Sequence, residues 1–112
     1  MTSNIALDKF FSALRSADIE GMRSAVVGLK LNEYDEVGFT PLLTAVFIGD
    51  PTAVKILLEA GSDPNLSQKD DPSATPIWHA EVDFSLSQIA DILREYGAVE
   101  FNTSFHTGPI RK

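Results

Sequence analysis

No cysteine occurs anywhere in the 112 residues. Disulfides, thiolate metal sites and a cysteine nucleophile are therefore excluded. Histidine is almost as scarce, with only His79 and His106. Apolar runs are short, and none approaches the ~18 residues that a membrane span needs. The opening stretch, MTSNIALDKFFSALRS, has no basic segment followed by an apolar run and no small-residue cleavage site. Its charges fall inside a helical pattern, so it reads as part of the fold and not as a signal peptide. A single soluble domain in the cytoplasm is the expectation, with 44% hydrophobic content as material for a continuous core. Positive charge is also in short supply, and the net charge is −7. The imbalance is local: from Glu33 to Asp83 ten acids stand against Lys55 and Lys69, leaving −8 in that stretch. Such a surface repels nucleic acid and anionic lipid and draws in basic proteins. Plain solubility is the competing account of the same charge.

What is present centres on residues 40–61, TPLLTAVFIGDPTAVKILLEAG. Thr40 suits a helix N-cap, because its hydroxyl can accept from the orphan N–H groups of the first turn. Pro41 follows at the first helical position, where a missing N–H costs nothing. Gly49-Asp50-Pro51 repeats the device, with Gly49 ending one helix, Asp50 capping the next and Pro51 opening it. Val54, Ile56, Leu57 and Leu58 give the second helix its apolar face, and Gly61 supplies a left-handed residue to stop it. Neither helix can bury its apolar side alone, so neighbouring copies are expected.

Copies are there. Thr75-Pro76-Ile77-Trp78-His79-Ala80 repeats Thr40-Pro41-Leu42-Leu43-Thr44-Ala45 at a displacement of 35 residues. Ile92-Leu93 with Gly97-Ala98 repeats Leu57-Leu58 with Gly61-Ser62, displaced by 35 or 36. Upstream, residues 13–18 answer residues 45–50 at a displacement of 32. A helix pair of about 33 residues that opens on T-P-L-H-x-A is the ankyrin signature. The chain thus resembles the ankyrin-repeat family over roughly residues 4–98. The resemblance implies an all-α stack of three helix pairs joined by short β-turn fingers, with repeats at about 4–33, 34–66 and 69–98. Helices are expected near 5–16, 19–29, 41–48, 51–59, 76–83 and 86–96.

In the first repeat Leu7, Phe10, Phe11 and Leu14 make one apolar stripe, and Asp18 caps a helix that points Ile19, Met22, Val26 and Leu29 one way. The first finger, 32–39, places Gly38 two residues before Thr40, at the family's tight turn. The second, 65–74, is two residues longer and has Ser73 in the glycine's place. Residues 81–85 hold one extra residue between the helices of the third repeat, with Ser85 the expected cap of the last helix. The tail, 99–112, lacks a helical period. Phe101, Phe105 and Ile110 would serve to cover the outer face of the last repeat, or the segment is loose.

Catalytic constellations are thin. His79, Glu81 and Asp83 lie close in sequence, but a metal site would need further ligands and His106 is far off in the tail. A packed or surface histidine is the expected reading of His79. Ser104 and His106 have no strand-turn-helix elbow around them, and no phosphate-binding glycine loop occurs. Neither an enzyme nor a bound cofactor or metal is expected.

The family resemblance implies instead a protein-binding surface made of finger tips and exposed positions of each first helix. Carried over by position, the central repeat offers Glu36, Val37, Phe39, Phe47 and Ile48. The third offers Asp71, Pro72, Ala74, Glu81, Val82 and Asp83, and the first Leu7, Arg15 and Ser16. Val37, Phe39, Phe47 and Ile48 are apolar where a purely structural repeat tolerates polar residues. They read either as the centre of an interface or as packing against the next repeat and the long finger. Glu33, Asp35, Glu36, Asp70, Asp71, Glu81 and Asp83 would form the acidic border of that centre. Two functions fit: a dedicated inhibitor of one basic protein, of the kind encoded beside bacterial toxins, or an adaptor holding a peptide or helix of a larger complex. A basic protein partner, no nucleic acid, no membrane and a monomer on its own are the expectations.

Overall fold

A computed structural model of the chain describes residues 5–83 and 86–99. It contains α1 (Ile5–Arg15), α2 (Ile19–Val26), α3 (Pro41–Ile48), α4 (Pro51–Ala60), α5 (Pro76–Trp78) and α6 (Ser87–Glu95). α5 runs on directly into a π-helical turn, His79–Asp83. No strand occurs among the described residues. The helices pair as α1 with α2, α3 with α4, and α5 and its π-turn with α6; α4 packs between α2 and α6. The middle pair is thus enclosed on both sides, and the core runs through the stack from Phe10 and Met22 to Leu57, Ile77 and Leu93.

The start and stop signals act as the side chains require. The Thr40 hydroxyl accepts from the Leu43 N–H at 3.2 Å, and the Thr75 hydroxyl from the Trp78 N–H at 3.2 Å. Asp50 Oδ1 accepts from Thr52 and Ala53, and Asp18 Oδ1 from Gly21. Each of these bonds satisfies a helix-start donor that has no partner within its own helix. Gly61 holds φ +115° and donates back to the carbonyls of Leu57 and Leu58, which ends α4.

One hydrogen bond recurs in all three pairs and measures the irregularity of the third. The N–H of the residue that opens the second helix donates to an alanine carbonyl in the first: Asp18 to Ala13, Asp50 to Ala45, Leu86 to Ala80. The span is five residues in the first two pairs and six in the third. The extra residue is absorbed as the wider π-turn, the form a single insertion takes when a helix accommodates it without breaking. It also changes the cap. Ser85, expected to cap α6, lies outside the described residues, and the cap position is held by Leu86, which offers no side-chain bond and packs against the core instead.

One further expectation is corrected. α2 ends at Val26 and not near residue 29; Val27 and Gly28 are poor helix formers, and Leu29 reaches the core from the following turn. In the second finger, where Ser73 stands in the glycine's place, the left-handed residue is Asp70, at φ +65°. The longer finger closes in two successive turns, with Asp71 N–H donating to Gln68 O and Ala74 N–H to Asp71 O.

The fingers are tied to each other and to the repeats beneath. Lys69 N–H donates to Gly38 O at 2.9 Å. Gly38 holds φ +87°, and a Cβ there would stand 3.1 Å from that of Lys69, so any other residue is strained and crowds the second finger. The Tyr34 hydroxyl donates to Ser67 O at 2.8 Å. Asn32 Oδ1 accepts from Asp63 N–H, and Asn65 Oδ1 accepts from Val99 N–H, both at 2.8 Å, repeating one staple at each junction. Ser24 of the first repeat is exposed and Ala25 partly buried against the core, where the second repeat, 32 residues on, buries Ile56 and Leu57.

Candidate interaction surface

α3, PLLTAVFI, is apolar on every side. A helix of that kind is normally enclosed all round. Leu42, Leu43, Ala45 and Val46 are enclosed, but Phe47 is 40% exposed and Ile48 is 51% exposed in the last turn. Beside them, the first finger sets Val37 outward, 71% exposed, and leaves Phe39 half-buried. Of the four apolar residues singled out from the sequence, the structure brings Phe39 and Phe47 into contact, with ring centroids 4.6 Å apart.

The contact extends into a row. Phe47 meets the imidazole of His79 edge-on at 4.8 Å, and His79 meets Trp78 edge-on at 5.0 Å. Four rings are thereby held against one another across the junction of the second and third repeats, at separations that favour aromatic pairs. His79 is only 4% exposed, so it packs within this row. No group of three or more acidic or histidine side chains among the described residues could hold a metal ion.

Around the row the acids divide by what they already bind. Asp35 Oδ1 accepts the N–H groups of Val37 and Phe39, both at 3.0 Å, and so shapes the finger that presents them. Asp71 accepts from the Ser73 hydroxyl at 2.8 Å. Glu81 is ion-paired with Arg94 on α6, which also meets Asp91 at 3.2 Å, and this draws Glu81 toward the second helix of its pair. Glu33, Glu36 and Asp70 are exposed and make no side-chain bond among the described residues. The side chain of Asp83 lies outside the described part of the structure.

Trp78 was not among the expected contact residues, although it closes the row. The signal was available: Trp78 stands 35 residues after Leu43, which is fully buried. An indole is larger than the leucine that the second repeat encloses there, and Trp78 is only partly buried, beside His79.

The sequence profile of the ankyrin repeat matches residues 37–70. An ankyrin repeat-containing protein of Schizosaccharomyces pombe is 35% identical over 71 residues, covering 63% of this chain and 32% of that protein. A crystal structure of an ankyrin repeat domain from Acinetobacter baumannii AYE is similar with a TM-score of 0.66 and 30% identity, covering 80% of this chain and 47% of that one. The chain spans about a third of the length of the curated relative and about half that of the solved domain.

Proposed function

Because this chain is an ankyrin-repeat protein, and so a protein–protein interaction module, we propose that it is a dedicated inhibitor, of the immunity type, of one basic protein. The observation that carries the reading is the exposure of Val37, Phe47 and Ile48 on the finger and helix that bring Phe39 against Phe47, in a stretch whose Glu33, Glu36 and Asp70 make no side-chain bond among the described residues. An apolar centre with a charged rim is the usual anatomy of a protein contact site. The −8 carried by residues 33–83 selects a basic partner and speeds its encounter. Where that partner binds an anionic substrate such as nucleic acid, inhibition is occlusion: the finger carboxylates occupy the positions of the substrate's phosphates.

The test is kinetic, on the purified partner taken from the native host. Glu36→Gln with Asp70→Asn and Asp71→Asn should mainly slow association and flatten its salt dependence. Phe47→Ala should leave association nearly unchanged and hasten dissociation, by roughly 2 kcal/mol if the ring is a buried anchor. A footprint on Lys55, Glu59, Asp91 and Arg94 overturns the proposal.

A further inference from the structure

Resting on that reading, we infer that the row Phe39–Phe47–His79–Trp78 is the seat of an arginine side chain of the bound protein. Three contacts of 4.6, 4.8 and 5.0 Å hold the rings against one another, so the surface they present is fixed before anything binds. Little side-chain freedom is left to lose on contact. Phe47, at the middle of the row, is the ring with substantial exposure.

The surroundings choose among the side chains that could rest there. An aliphatic or aromatic side chain would satisfy the rings but leave unanswered the acidic charge of residues 33–83, of which Glu36 and Asp70 lie on the two fingers that the Lys69–Gly38 hydrogen bond joins. A lysine would satisfy the carboxylates, yet its compact ammonium is strongly hydrated and resists being laid on a ring. A guanidinium does both. It is planar, weakly hydrated and stacks on aromatic faces, and its fork of N–H groups reaches a carboxylate at the same time. The chain supplies little competing charge of its own: from residue 33 to 83 its cations are Lys69 on the second finger and Lys55 on α4.

The experiment uses the full chain and two blocked peptides, octa-arginine and octa-lysine, at about 150 mM salt, where long-range attraction is screened alike for both. Binding is read by calorimetry and by amide and side-chain shifts in NMR spectra. Octa-arginine should bind about three- to five-fold more tightly than octa-lysine, with the largest shifts at Phe39, Phe47 and Trp78. Phe47→Leu keeps an apolar side chain but removes the ring, and it should abolish the preference by weakening the arginine peptide alone. Phe39→Leu should reduce the preference in the same direction. Equal affinities centred on the row, or a preference that survives Phe47→Leu, overturn the arginine seat while the interaction surface stands. Shifts confined to other faces of the molecule overturn both.

Discussion

Gly61 and Ala17 show what single backbone positions do here. Gly61 sits at φ +115° with its N–H turned back into α4, a conformation in which a branched side chain is strained. Gly61→Val should cost about 1–2 kcal/mol, read as a lowered midpoint in thermal melting by circular dichroism; an unchanged midpoint would remove its role as the stop of α4. Ala17 holds φ +57° at the place where the second repeat has Gly49 at +84°. Ala17→Gly should therefore stabilise, by about 0.5–1 kcal/mol after the added freedom of the unfolded chain is subtracted. Asp35→Ala should lower the melting midpoint, because two finger amides lose their acceptor, whereas Glu36→Gln should leave it in place. The caps at Thr40, Asp50 and Thr75 were legible because hydroxyl and carboxylate side chains announce their own geometry. The left-handed residues Ala17 and Asp70 were not: alanine does not mark that conformation, and aspartate, though enriched there, adopts it only in a minority of its positions.

At the scale of elements, α4 is the best-supported helix, capped by Asp50, stopped by Gly61 and packed on both flanks. α6 starts at Leu86 without a side-chain cap and packs on α4 from one side. Native-state hydrogen exchange should accordingly find the amides of α4 slowest and those of α6 markedly faster, and the reverse order would contradict this packing. Arg94, paired with Glu81 and Asp91, is substantially exposed, so Arg94→Ala should shift stability by less than about 0.5 kcal/mol. The helix pairs could be read from Thr-Pro openings and Gly-Asp-Pro junctions. The insertion in the third repeat could be counted from the change of displacement, but not its form. Residues 81–85 contain no glycine or proline to say whether the extra residue enters a loop or widens a helix; in the structure a π-turn precedes Leu86, which packs on the core.

For the molecule as a whole, the stack was legible because one helix-pair unit occurs three times, and the exposure of Val37, Phe47 and Ile48 because they fell on positions that repeats leave outside. Less legible was the division of labour among the acids. Sequence alone puts Asp35, Glu81 and Asp70 in one border, whereas hydrogen bonds and an ion pair commit the first two to the fold. Trp78 joined the surface only once its ring was seen against His79. The border and centre together form the central claim, that a basic protein is bound across the fingers and the aromatic row. Amide hydrogen exchange of the complex with the host partner, compared with the free chain, tests it most directly. Protection should appear at residues 33–39, 47–48 and 68–79 and be lost in Phe47→Ala. Protection confined to residues 55–59 and 91–94, on α4 and α6, would contradict the account.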